Sequence, residues 1–278
     1  MKVSAHQAAE QFLQASRLGM KEQSEPLLNL ARNSYEPSRW ASVTWSVAIL
    51  ILLFAVHEWA HAFTAFKLGD DTAAQQGRLT LNPIAHLDLF GSLLLPGLLL
   101  WRQSDLVFGW AKPVPVTPEK FADRRRDHML VSFAGPAANL VVMLGAAVVL
   151  LLVMVHVRIL SPSAQSLDLA MPSASISLAG NGLPAWIAPV IAFLKQLTIT
   201  SLILACFNLI PMPPLDGSWI LSGLLSEKSQ AKLEAIRPYA FIIFLGLVFT
   251  SVFDYLLAIP VGFLWAGGAA CFALMGFS

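Results

Sequence analysis

The chain has 278 residues, of which 56% are hydrophobic and 13% charged, about half the charge of an average soluble domain. A mean hydropathy of +0.65 excludes an ordinary water-soluble enzyme, and a net charge of +1 without a basic stripe excludes a nucleic-acid binder. Cys206 and Cys271 stand apart in apolar runs, which excludes a disulfide framework and a thiolate zinc site.

In chain order, residues 1–40 are polar and helix-prone, and they lack the apolar core of a signal peptide. They are expected to form an amphipathic segment at a membrane surface. Residues 41–238 are expected to form the core. Within it, 43–66 are long enough to cross a hydrocarbon layer of about 30 Å. The polar stretch 67–88 contains the alternation Arg78-Leu-Thr-Leu-Asn82, which predicts a small β-like hairpin. Residues 89–100 are apolar but short and broken by Gly91, Pro96 and Gly97, so they are expected to re-enter the membrane from one side. The following link, 101–128, carries Arg124-Arg125-Arg126, an anchor against anionic lipid. Residues 129–157 and 185–210 each span, joined by a flexible Ser/Ala/Pro/Gly-rich link over 158–184. After a polar link at 211–238, Asp254 and Pro260 divide residues 239–278 into two further crossings. The fold class is an all-α polytopic membrane protein with about five to six apolar helices.

Inside the first apolar run stands His57-Glu58-Trp59-Ala60-His61, an H-E-x-x-H pattern. Residues at i and i+4 share a helix face, so the two imidazoles can grip one metal ion. Glu58 lies about 100° round the helix, near enough to take a proton from water at the ion. A pair of structural histidines is the plain alternative, but ionisable groups within a membrane segment are costly and point to function. Catalytic zinc takes three protein ligands. The third could come from His86, His128, His156 or a carboxylate. Asp216 is the best placed, in Asn208-Leu-Ile-Pro211-Met-Pro213-Pro214-Leu-Asp216-Gly217 at the end of an apolar helix. Taken alone, that stretch also reads as a turn with a capping Asp.

An H-E-x-x-H within one apolar helix, followed by N-x-x-P-x-x-x-x-D-G at the end of a later one, resembles the site-2 protease family of intramembrane zinc metalloproteases. Gly77-Arg-Leu-Thr-Leu-Asn82-Pro83, Phe108-Gly-Trp-Ala-Lys-Pro113-Val-Pro115 and Ala134-Gly135-Pro136-Ala-Ala-Asn139 are similar to its compact bacterial members, which lack PDZ or CBS modules. The resemblance covers about residues 43–225. It implies one Zn2+ per chain held by His57, His61 and Asp216, with Glu58 as the catalytic acid–base. It places Asn139 and Asn208 near the site, as candidates to contact substrate or its oxyanion. It further implies a transmembrane protein substrate, cleaved within the lipid bilayer.

Physics adds a topological condition. His57 and His61 lie in the C-terminal half of their helix and Asp216 just past the end of its own. Both helices must therefore cross in the same direction, with 129–157 as the return. Placing links 67–128 and 211–238 inside puts eight plus three basic residues in the cytoplasm. That predicts a multi-pass protein of the inner (plasma) membrane with its active site toward the cytoplasmic side; the oligomeric state is left open. Two other uses of the same residues are a metal-ion transit site, which would not need Glu58, and a membrane-anchored peptidase acting on soluble substrates. The second would need the His pair outside the bilayer, whereas the apolar run extends to Phe66 beyond it.

Overall fold

The computed structural model of the chain describes residues 39–101, 109–160 and 186–240, with a few isolated positions up to 266. The expectations for residues 1–38 and 161–184, and for two crossings after Tyr239, lie outside the described residues. The chain divides into two compact units, Met1–Ser46 and Val47–Ser278; the second holds every residue of the site described below.

The described residues are helical. Helix α1 (Arg39–Lys67) is an apolar run without an internal Gly or Pro, about 43 Å long. It stops in a Schellman turn. Gly69 adopts φ +104°, the Asp70 N–H donates to the Ala65 carbonyl at 2.9 Å and the Gly69 N–H donates to that of Phe66 at 3.2 Å. Helix α2 (Thr72–Gln75) ends the same way at Gly77, φ +67°, with the Arg78 N–H on the Ala73 carbonyl at 2.8 Å. A 3-10 turn over Pro83–His86 leads to a π-helical turn, Leu89–Leu94, continuous with α3 (Leu95–Trp101). Asp88 starts this element by accepting the Gly91 N–H at 2.7 Å. Its apolar part, Leu89–Leu99, rises about 17 Å even at α-helical pitch, well short of a bilayer's hydrocarbon thickness.

No strand forms among the described residues, and the hairpin expected near Arg78–Asn82 is replaced by two turns. Gly77 turns the chain before Arg78, and Asn82 with Pro83 turns it again by accepting the Ile84 N–H at 3.1 Å. The extended segment of this region lies later, at 109–117. It pairs with the 86–91 stretch at two points only, Trp110 N–H to the Gly91 carbonyl at 3.1 Å and Lys112 N–H to the His86 carbonyl at 2.9 Å. Pro113 and Pro115 lack N–H groups, so a ladder cannot continue.

Helix α4 (Arg124–Leu160) runs through Gly135-Pro136. Gly and Pro in a helix interior cost roughly 1 and 3 kcal/mol in propensity, so its continuity rests on packing. Helix α5 (Ile187–Asn208) follows the undescribed link. Then come α6 (Asp216–Leu224) and α7 (Glu227–Ile236), which make the expected polar link 211–238 mostly helical. Among the described residues, three helices, within Thr44–Lys67, Arg124–Val157 and Ile187–Asn208, are long and apolar enough to cross a membrane.

Packing fixes their relative directions. Along α1 and α4, Ala65 clusters with Val131 while Val142 packs against the cluster holding Ile49, Leu50, Leu53 and Phe54, so the two helices run antiparallel. At the far end of α4, Met154 and Val157 meet Ile187 and Ile191 at the start of α5, so α5 returns antiparallel to α4. Helices α1 and α5 therefore share a direction, as the ligand argument requires. Ala55, Ala60, Ala62 and Ala65 are buried along α1, small residues that allow close approach of helix backbones. Val141, Leu144, Val148 and Leu152 stand exposed along α4, an apolar face suited to lipid rather than water.

Candidate metal centre

The i, i+4 spacing on α1 aims His57 and His61 at one point, and both are buried, 6% and 7% exposed. The two Nε2 atoms lie 3.0 Å apart. Asp216, the first residue of α6, reaches them because Pro211, Pro213 and Pro214 end α5 and turn the chain. Its Oδ2 is 3.0 Å from His57 Nε2 and 3.4 Å from His61 Nε2. Gly217 is needed beside it, since a Cβ there would fall 2.3 Å from the Leu209 carbonyl oxygen. Among the described residues this is the one group of three His, Cys, Asp or Glu side chains able to hold a metal ion.

The donor set fits zinc. Tetrahedral bonds of about 2.0–2.1 Å place ligand atoms about 3.3 Å apart, close to the spacings found here. Gly135 on α4 clears the space. A Cβ at that position would lie 2.4 Å from His61 Nε2 and 2.6 Å from His57 Nε2.

Neighbouring groups hold the rings. His61 Nδ1 donates to the Val131 carbonyl at 2.7 Å, and Asn139, fully buried, places its amide 3.0 Å from His57 Nδ1. Val131, Gly135 and Asn139 fall at i, i+4 and i+8, one stripe of α4. Glu58, 8% exposed, accepts the Val114 N–H at 2.8 Å through Oε2. The segment carrying Val114 is tied down from two sides. Arg78 donates to the Lys112 carbonyl at 2.6 Å, and fully buried Asp70 accepts the Thr117 N–H at 2.6 Å.

The other sequence candidates stand elsewhere. His86 Nε2 donates to the Thr80 carbonyl at 2.8 Å. The ring of His128 packs on Trp219 with centroids 4.4 Å apart. The amide of Asn208 donates to Leu204 of its own helix at 2.9 Å. Lys195 is buried within α5 at 6% exposure. The groups that sequence reading missed are the Val131 carbonyl, the Val114 N–H and the space at Gly135, although two of the quoted motifs contain Val114 and Gly135.

An apolar helical membrane protein with two histidines and an aspartate converging inside its helices defines a metalloenzyme class. Residues 107–252 match the family described as Peptidase family M50. A Bacillus subtilis protein named as a zinc metalloprotease, YwhC, is 40% identical over 76% of this chain and 83% of its own length. Two proteins named as the zinc metalloprotease Rip2 are 31% identical: that of Mycolicibacterium smegmatis over 75% of this chain and 68% of its own, that of Mycobacterium tuberculosis H37Rv over 83% and 76%. No solved structure matches the chain significantly. The chain belongs to peptidase family M50, and is a zinc metalloprotease of the site-2 type.

Proposed function

We propose that the protein hydrolyses peptide bonds in or near the transmembrane segments of membrane proteins, with His57, His61 and Asp216 holding one Zn2+ and Glu58 as acid–base. The observation that carries this reading is the placement of the histidines within an apolar helix. His57 lies ten residues before Lys67, the end of α1, which is about 15 Å of helix.

Zn2+ bound there supplies Lewis acidity toward water and a peptide carbonyl. The chain's own residues do the rest. Glu58 is oriented by the Val114 N–H on Oε2, which leaves Oε1 to accept a proton from water and pass it to the departing amine. The two histidines are buried and the Asp216 side chain is 20% exposed, a setting that limits bulk water and strengthens charge interactions in the site. A helical substrate hides its carbonyls in its own hydrogen bonds, so cleavage requires local unwinding, and helix-breaking residues near the scissile bond favour it.

The same reading has the element over Leu89–Trp101 re-enter from the cytoplasmic side, the basic links face the cytoplasm, and the membrane be the plasma membrane. It divides the chain into a surface segment (1–40), a protease core (41–238) and C-terminal crossings (239–278).

The test is Glu58→Gln in purified protein reconstituted with a single-span membrane substrate. Turnover should fall by roughly 10²–10⁴-fold while zinc content stays at one per chain. Retained turnover with full zinc would remove Glu58 from the chemistry and sink this mechanism.

A further inference from the structure

We propose that Asn139 is a positioning residue that holds His57 in the tautomer a metal requires, by turning its side-chain oxygen to the His57 Nδ1–H. The proposal rests on the reading of His57, His61 and Asp216 as the metal centre.

A neutral imidazole carries one N–H and one lone pair, and only the lone pair can ligate. For His61 the choice is settled by the backbone. Its Nδ1 faces the Val131 carbonyl at 2.7 Å, and a carbonyl oxygen can only accept. The proton is therefore on Nδ1, and the lone pair of Nε2 points into the site. For His57 the same choice falls to a side chain that can work either way. With its NH2 toward His57 Nδ1, Asn139 leaves the ring proton on Nε2, 3.0 Å from Asp216 Oδ2, where it closes the site to a cation. With its oxygen toward Nδ1, the proton moves there and the Nε2 lone pair is freed. The amide nitrogen faces the ring at 3.0 Å, while Oδ1 is buried without a hydrogen-bond partner. Such an oxygen is costly to leave unpaired, and a half-turn of the amide gives it the ring N–H.

The location also separates this role from contact with substrate. Asn139 is fully buried and meets His57 at Nδ1, the opposite end of the ring from the Nε2 atom where the three ligands converge. It stands behind the histidine, as outer partners of metal-bound histidines do.

The test measures Zn2+ affinity of the full-length protein by chelator competition. An aspartate accepts and does not donate, so Asn139→Asp should keep affinity within about threefold, whereas Asn139→Ala should lose about 10–100-fold. Wild-type affinity in the alanine variant, or an equal loss in both variants, would overturn the proposal. Thermal unfolding in the presence of chelator checks that both variants fold. Failure of the metal-centre reading has a separate signature, wild-type zinc affinity in His57→Ala.

Discussion

At the scale of single residues, the site depends on one missing side chain as much as on those present. Gly135 is the position where α4 touches both imidazoles, and a methyl group there would overlap each Nε2. Neither ring can withdraw, since Val131 and Asn139 hold the opposite edges. Gly135→Ala should therefore abolish stoichiometric zinc binding while improving intrinsic helix propensity by up to about 1 kcal/mol. Metal analysis beside thermal unfolding checks both halves; a zinc-replete Gly135→Ala protein would show that the rings have room to move. His57, Glu58 and His61 were legible in the sequence because their geometry is contained in one helix repeat. Asp216 was legible because prolines and a glycine announce a turn around it. The Val131 carbonyl and the Val114 N–H were not, because a backbone group has no letter of its own and becomes a partner only when distant elements meet.

At the scale of elements, the segment that orients Glu58 is held by a carboxylate one turn beyond α1. Burial alone would push the Asp70 carboxyl up. The Thr117 N–H, the hydroxyl and N–H of Thr72 and the Lys120 ammonium outweigh that and hold it below the usual carboxylate range. A depressed folded value has a definite sign. The clamp contributes its full stability above the unfolded value of about 3.9 and loses it as pH falls through the folded one. Hydrogen exchange at Thr117 and Val114 should accelerate over that acidic window, and in Asp70→Asn it should already be fast at neutral pH. Unchanged protection in the variant would show that the segment is held without Asp70, by Arg78, Glu58 and the backbone of 86–91. The sequence misplaced the extended element here. Alternation at 78–82 is a pattern of side chains, whereas the partners that straighten 109–117 are backbone groups of 86–91 and the side chains of Glu58, Asp70 and Arg78. Pro113 and Pro115, which fix φ and lack N–H groups, suit a segment that stays extended without a ladder.

At the scale of the whole molecule, the chain order was readable because metal geometry tolerates so little. The proposed ligands, two from the C-terminal half of α1 and one just past the end of α5, require those helices to run the same way, and the packing of α1, α4 and α5 shows that they do. The short rise of the Leu89–Leu99 element fits a segment that does not cross. The orientation proposed above is open to direct measurement. A cysteine at Glu227, the first residue of α7, should react with a membrane-impermeant maleimide in inside-out vesicles and be protected in right-side-out ones. The reverse pattern would invert the topology.

The separation of the ligands along the chain has a consequence in time. His57 and Asp216 are 159 residues apart, and a polypeptide is made from one end at about 5–20 residues per second. For many seconds the histidine helix therefore exists without its carboxylate. During that interval neither the third ligand nor the returning helix that sets it in place has been made. On the proposed ligand set, proteolytic capacity is expected only once the core of the enzyme has been inserted, and a ribosome-bound fragment ending before Asp216 should be inert toward its neighbours in the membrane.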